Sequence, residues 1–343
     1  MSFDERKRFS VNDLEAMQIS IAAADRARLV SRPNPWVGAV VVTQTGEIFE
    51  GSTSRVGGPH AEIMAIRAAA KLAIGATLYT TLEPCDHTGR TGPCTQAIID
   101  ARITRVVIGI VDPDEKVSGR GISRLREAGI TVEVGLLADQ ITAQLAPYLH
   151  HRKTKRPFVI LKMAMTLDGR TAASDGTSMW ITGDIARRRV QQLRAQSDAV
   201  LVGAGTVRKD DPQLTVRDVD GDSPRRIVLG EVSPEARVNP CTQWRGSLID
   251  LLDELGSQDV LQLLIEGGPT VAASFHREGL INQYIIHLAP AFSGGNDGLG
   301  VFEGRGIATM ADLWRGCITS SQQLGDDLEI IIEPITQAQE TTK

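Results

Sequence analysis

The chain has 343 residues, of which 42% are hydrophobic and 23% charged, with a formal net charge of −5. That length accommodates two domains of ordinary size, and the acidic balance argues against a surface built for nucleic acid or an anionic membrane. No apolar run approaches the roughly 20 residues that span a bilayer, the charged N-terminus leads into no signal-peptide core, and four cysteines are too few for a disulfide framework, so a reducing, cytoplasmic setting is expected.

In the first half, Leu14, Met17, Ile21 and Ala24 recur at helical spacing and predict a helix over 11–30. The apolar run from Val37 to Thr43 follows Pro33-Asn34-Pro35 and suits a buried strand. His60 to Leu72 is alanine-rich and helical, with Pro59 fitting its start. Ala76 to Leu82 reads as a strand that runs into Glu83-Pro84-Cys85. A helix from Cys94 to Ala101, a strand from Arg105 to Val111, a helix from Gly119 to Ala128 and a strand from Ile130 to Val134 complete a three-layer α/β pattern. Arg152, Lys153, Lys155 and Arg156 then crowd a basic stretch. It is expected to be a solvated linker over 148–156 rather than a phosphate site, which puts the domains at 1–147 and 157–343.

The second half repeats the α/β grammar without resembling the first. Strands are predicted at Phe158–Met163, Asp198–Gly203, Arg226–Leu229, Val260–Ile265, 281–289 and 327–333. Helices are predicted at Asp184–Gln196, 247–255 and 269–278, and no clear strand is predicted between Glu231 and Trp244.

Chemistry is most legible at His60, Glu62, Cys85 and Cys94. One imidazole and two thiolates make a three-ligand zinc set with its fourth tetrahedral position open to water. Zinc brings such a water toward neutrality, and Glu62, two residues after the histidine, is placed to carry its proton to a leaving amine. Two other arrangements compete: a closed site with His87 as fourth ligand, and two buried cysteines beside a surface histidine. The first leaves Glu62 without work.

Around these residues, Pro33-Asn34-Pro35-x-Val37-Gly38, His60-Ala61-Glu62, and Glu83-Pro84-Cys85 through Gly89-Arg90-Thr91 to Pro93-Cys94 closely resemble the bacterial bifunctional riboflavin-biosynthesis deaminase–reductases. The eight residues between the cysteines match that family, as do Asp112-Pro113 and Gly119-Arg120-Gly121. The resemblance implies a cytidine-deaminase-like domain with Zn2+. It implies that Asn34 hydrogen-bonds the pyrimidine, that His87 and Arg90 line the substrate's loop with Arg90 meeting its phosphate, and that Asp112 and Asp114 lie close by. Asp114 stands where the family commonly carries asparagine, so a donor there is replaced by a charge.

In the second half no Gly-x-Gly-x-x-Gly follows a strand, so a Rossmann site is not supported. Three clusters stand out instead. Lys162 precedes Leu167-Asp168-Gly169-Arg170; Val202-Gly203-Ala204-Gly205-Thr206 leads to Lys209-Asp210-Asp211-Pro212; and Ile265-Glu266-Gly267-Gly268-Pro269-Thr270 is a glycine turn from strand into helix, suited to a pyrophosphate. In this order they resemble the reductase half of the same family, which implies a dihydrofolate-reductase-like fold. NADPH would lie near Ala164, Trp180, Thr206 and Asp210 and along Gly268, Pro269, Thr270, Val271, Ala272, Ala273 and Ser274. Ser178, Arg194, Leu214 and Arg217 would contact substrate, the two arginines suiting a ribose phosphate. Lys162, Asp210 and Glu266 are the candidates around the sugar's reacting carbon. Without the resemblance, Arg194 reads equally as a solvated helix face and Trp180 as core.

The expected function is zinc-dependent deamination of a diaminopyrimidinone ribosyl phosphate, then NADPH-dependent reduction of its ribosyl group. A small-molecule substrate and a homodimer are expected. A deaminase with a degenerate second domain, trimmed between Arg226 and Val260, and a nucleic-acid-binding protein on the same zinc fold are the alternatives. The low aromatic content, 4%, counts against the latter.

Overall fold

Short runs of Val, Ile and Leu bounded by turn residues build two separate sheets. The computed structural model describes residues 11–87, 92–114 and 117–335, and the protein divides into two units, Met1–Lys155 and Arg156–Lys343.

The first unit contains α1 (Val11–Ala27), β1 (Gly38–Val42), β2 (Ile48–Ser52), α2 (Ala61–Ala69), β3 (Thr77–Leu82), α3 (Cys94–Asp100), β4 (Arg105–Ile110), α4 (Arg120–Glu127), β5 (Thr131–Val134), α5 (Ala138–Gln144) and α6 (Ala146–Thr154). The sheet order is β2-β1-β3-β4-β5, with β3, β4 and β5 parallel and β1 antiparallel to both its neighbours. Ala39 of β1 pairs with Gly51 of β2, so Gly38 and Gly51 point to opposite faces. A Cβ on Gly38 would lie 1.8 Å from the Ser20 carbonyl oxygen of α1, and one on Gly51 would lie 2.1 Å from Ala61 O and 2.4 Å from Ala65 N of α2. Helix backbone therefore rests on bare strand on both sides, which makes the three layers and fixes the height of α2. His60 is the N-cap of α2 and Glu62 is in its first turn.

Two expectations change here. The supposed linker over 148–156 is largely α6, part of the first unit. Its buried Pro147, Tyr148 and His151 alternate with the basic residues that suggested solvation. Strand β2 was not anticipated, because only one of its five residues is buried.

The second unit contains β6 (Phe158–Thr166), β7 (Arg170–Ala172), α7 (Asp184–Ala195), β8 (Ala199–Gly203), α8 (Ala204–Asp210), β9 (Arg225–Leu229), β10 (Thr242–Trp244), α9 (Leu248–Ser257), β11 (Gln262–Ile265), α10 (Pro269–Arg277), β12 (Gln283–Ala289), β13 (Leu299–Gly300), β14 (Gly316–Leu324) and β15 (Asp327–Pro334). Its main sheet runs β10-β9-β8-β11-β6-β12-β15-β14. The strands from β10 to β12 are parallel, and β15 and β14 return antiparallel. Leu161, Leu201, Leu263, Ile265 and Phe275 fill the core beneath α9 and α10. The segment expected to lack a strand holds the short β10, which extends the sheet beyond β9. Because the six parallel strands all end on one edge, the loops following β6, β8, β9 and β11 share a single crevice.

Gly51→Ala is expected to destabilise the first unit by about 1–3 kcal/mol in denaturant unfolding. Gly92→Ala, whose Cβ meets nothing within 4 Å, should stay within about 0.5 kcal/mol of the parent.

Candidate active sites

At the first site, His60 caps α2, Cys85 follows β3 by three residues, and Cys94 opens α3. Their ligand atoms all lie within 4.8 Å of one another. Nδ1 of His60 is 3.6 Å from Cys85 Sγ and 3.3 Å from Cys94 Sγ. Two ligands at ordinary Zn–S and Zn–N lengths and a tetrahedral angle are separated by about 3.6 Å, so this donor set fits zinc. The hydrogen bond from the Cys94 thiol holds the Cys85 thiol well below its usual range, with His60 acting in the same direction against burial. His87 is exposed and is not among the clustered atoms, so the closed four-ligand arrangement is not formed among the described residues.

Glu62 is 3% exposed, and burial pushes its carboxyl up to about 7, against the opposing pull of His60. A carboxyl poised near neutrality is suited to taking up and returning protons. Asn34 is half-buried in the turn before β1. Arg90 lies outside the described residues. Asp112 is buried, and the Tyr148 hydroxyl lies 3.1 Å from each of its oxygens, while Asp114 N donates to Oδ1 at 2.9 Å. Burial pushes the Asp112 carboxyl up to about 6. The basic stretch contributes here too, since Arg152 reaches Asp114 at 3.5 Å.

Sequence reasoning missed the work of Glu83, quoted there only as part of a motif. Its buried carboxylate accepts from three backbone N–H groups: Asp112 at 3.3 Å, Gly119 at 3.0 Å and Ile122 at 3.2 Å. It ties the segment just before Cys85 to the loop after β4 and to the start of α4. A Cβ on Gly121 would lie 2.0 Å from Pro84 O, which explains Gly119-Arg120-Gly121. An acidic residue directly after a strand that is buried almost throughout was the available signal.

At the second site, the ends of β6, β8, β9 and β11 open on a cleft of about 900 Å³. Of the residues singled out in sequence, Lys162, Ala164, Ser178, Thr206, Asp210, Glu266 and Gly268 to Val271 line it. Burial lowers the Lys162 ammonium from its ordinary value, with Glu266 opposing. A Cβ on Gly203 would lie 2.9 Å from Val271, and one on Gly268 would lie 3.4 Å from Thr206 Oγ1. The two turns thus approach through glycine, and no side chain caps the N-terminus of α10. Uncapped N–H groups beside bare glycine backbone suit a dinucleotide pyrophosphate.

Other expected contacts fall elsewhere. Ala272 and Ala273 are buried inside α10, and the Ser274 hydroxyl donates to Thr270 O at 3.0 Å, so the cleft-lining part of that run ends at Val271. Trp180 is 70% exposed rather than core. It lines a smaller cavity of about 240 Å³ with Ser178 and Phe292, and Arg187 stacks on it at 4.5 Å. Leu214 is buried, and Arg217 is exposed but close enough to Glu266 to lower its carboxyl alongside Arg194 and Lys162. Arg194 is no solvated face: it is 9% exposed, grips Glu266 at 2.6 and 2.8 Å, and donates to Thr215 O at 3.2 Å.

The family model of the RibD C-terminal domain matches residues 157–330, and that of the cytidine and deoxycytidylate deaminase zinc-binding region matches 10–110. The chain is 39% identical to the riboflavin biosynthesis protein RibD of Mycobacterium tuberculosis over 326 residues, 92% of this chain and 95% of that protein. The chain belongs to the RibD family. The solved structure of Acinetobacter baumannii RibD shares its fold at a TM-score of 0.89 and 37% identity, covering 95% of this chain and 99% of that one. A Thermotoga maritima structure, described as a diaminohydroxyphosphoribosylaminopyrimidine deaminase/5-amino-6-(5-phosphoribosylamino)uracil reductase, matches at 0.85 and 35% identity over 94% of this chain and 99% of that one. The two units are accordingly the cytidine-deaminase-like and dihydrofolate-reductase-like parts of a RibD protein.

For this RibD protein, Glu83→Gln replaces one of the N–H-accepting oxygens by an amide nitrogen. Zinc should leave the variant at least about tenfold faster under chelator competition, the loss typical of groups supporting metal ligands. Release at the parent rate would remove Glu83 from the site's support.

Proposed function

We infer that this protein catalyses two successive steps. The first is hydrolytic deamination of 2,5-diamino-6-(5-phosphoribosylamino)pyrimidin-4(3H)-one, and the second is NADPH-dependent reduction of the ribosyl to the ribityl side chain. The observation that carries the reading is the presence in one RibD-family protein of the His60–Cys85–Cys94 cluster beside Glu62 and of a glycine-lined cleft beside Lys162. Deamination is assigned to Met1–Lys155 and reduction to Arg156–Lys343.

In the first step, His60, Cys85 and Cys94 hold zinc, which when bound supplies the Lewis acidity that makes water a nucleophile at neutral pH. Glu62 takes the water's proton and returns it to the exocyclic nitrogen. Oxygen bonds to the ring carbon, the C–N bond breaks, and ammonia leaves. Asn34 orients the pyrimidine, with His87 and Arg90 on the substrate's loop. Asp112, already engaged by Tyr148 and Asp114 N, acts by shaping the loop after β4 rather than by touching the ring.

In the second step, NADPH when bound supplies hydride. Thr206 and the turn Gly268–Val271 hold the cofactor, and Ala164 and Asp210 flank it. Lys162 polarises the carbonyl or imine of the ring-opened sugar, and Asp210 positions the proton that completes the reduction. Arg217, exposed beside Glu266, is the arginine available to the ribose phosphate, because Arg194 is committed to Glu266. Ser178 and Trp180 close the other wall.

Homodimerisation is proposed through the outer strand of the second sheet. Strand β14 has no neighbour on its far side among the described residues, Ile318 is 62% exposed on it, and Phe302 and Trp314 are part-exposed nearby. No helix among the described residues is long and apolar enough to cross a membrane, and a cytoplasmic location is proposed.

Glu62→Gln should slow ammonia release by about 10²–10⁴-fold while leaving NADPH oxidation with the deaminated intermediate unchanged. Release at the parent rate would remove Glu62 from proton transfer. Chelation of zinc should give the same split, abolishing deamination and sparing reduction. Absence of NADPH oxidation in the zinc-loaded parent would leave a deaminase alone.

A further inference from the structure

One wall of the cleft in the second unit has no role in the two steps above. Leu299, Val301 and Glu303 all line it, and they come from the segment that follows β12. Val301 packs against the core. Phe302, next to Glu303, stacks on His276 of α10 at 4.7 Å. His276 Nδ1 lies 2.8 Å from the Tyr284 hydroxyl of β12, and Trp314 meets the same imidazole edge-on at 5.6 Å. An aromatic cluster thus fastens this segment along α10.

Main-chain contacts then set where Glu303 stands. Its N–H donates to Pro269 O at 3.3 Å, and Arg277 Nη1 donates to its carbonyl oxygen at 3.3 Å. Pro269 opens α10 and Arg277 closes it, so both ends of the helix hold this one residue. Its carboxylate is brought to the first turn, where the Thr270 hydroxyl donates to Oε2 at 2.6 Å. That carboxylate forms no ion pair among the described residues, and the nearby Arg277 is engaged with the main-chain oxygen instead.

The turn it reaches is the one assigned above to the cofactor's pyrophosphate. Helix α10 is nine residues long with no side chain capping its start, and such an end attracts negative charge. Among its first three residues, Pro269, Thr270 and Val271, only Thr270 offers a side-chain donor. That donor is given to an anion of the protein itself. A dinucleotide laid along the turn sets its phosphates beside this carboxylate, in a cleft where Asp210, Glu231 and Glu266 already balance Lys162, Arg208 and Lys209. Like charges drawn together as water leaves repel.

We propose that Glu303 is an internal competitor for the cofactor's pyrophosphate, an anion that holds the Thr270 hydroxyl and so speeds nucleotide exchange at the start of α10. This rests on the assignment of NADPH to that turn. The oxidised and reduced cofactors carry the same pyrophosphate, so Glu303 opposes both. The gain lies in release: a carboxylate that reclaims Thr270 shortens the stay of the spent nucleotide and frees the cleft for the next NADPH.

The test is calorimetric titration of the full chain with NADPH and with NADP+, paired with stopped-flow dissociation of each nucleotide. Glu303→Gln should lower both Kd values by about three- to tenfold and slow both dissociation rates to match. In a Thr270→Val background the same substitution should gain less, because the contested hydroxyl is gone. An unchanged Kd in Glu303→Gln overturns the proposal. So does a weakened one, which is the result expected of a carboxylate that accepts from a ribose hydroxyl. An equal gain with and without the Thr270 hydroxyl overturns it too, since the charge of the cleft at large would then account for the effect. Should Glu303→Gln fail to fold, Glu303→Ala carries the same expectations. Absence of NADPH binding to the parent would instead refute the cofactor assignment on which the proposal stands.

Discussion

A carboxylate taken out of water keeps its charge only if donors surround it, and each site of this protein is assembled around such a group. Glu83 collects three backbone N–H groups from a loop and a helix start, and so fixes where the strand before Cys85 can go. Glu266 collects Arg194, and Glu329 collects His287, Arg189 and Gln322. None of these groups needs to meet substrate to matter. Each draws separate segments to one point, because an unmade hydrogen bond to a buried anion is costly. Zinc ligands and cleft-lining residues inherit their positions from these anchors.

The two units solve different problems with related means. In the first, glycine at 38 and 51 lets helix backbone lie on strand, so the residues at the start of α2 are held as firmly as the sheet. In the second, the glycine turns after β8 and β11 face a crevice, and what they leave open is backbone N–H. Removing side chains fixes a catalytic helix in one unit and makes room for a ligand in the other.

Much of this was legible in sequence where pattern and packing coincide. Apolar runs such as Val37 to Thr43 and Val260 to Ile265 are buried strands, and the His60, Glu62, Cys85 and Cys94 set carries its chemistry in residue type and spacing. What was not legible depends on tertiary context. Strand β14 reads Gly-Cys-Ile-Thr-Ser-Ser-Gln-Gln-Leu, with neither face buried to impose alternation. Helix α6 looked like a linker because its basic residues dominate its composition, while Tyr148 and His151 face inward. Arg194 is polar by identity yet buried by its pairing with Glu266, and the run 272–274 turns into its own helix because helical periodicity lets only the first residues of α10 reach the cleft. The partners of Glu83 and Glu329 lie between 29 and 140 residues away or across a hairpin, and no local pattern announces them.

The burial of Glu62 has a thermodynamic consequence. A carboxyl moved from 4.5 to about 7 by folding penalises the native state of the metal-free protein by roughly 3 kcal/mol once ionised. The penalty is absent below the unfolded value, grows as pH rises from there, and is complete above the folded one. Stability and reactivity thus compete at one side chain: the ionised form that accepts the water's proton is the form that burial penalises, and a divalent cation nearby relieves that penalty.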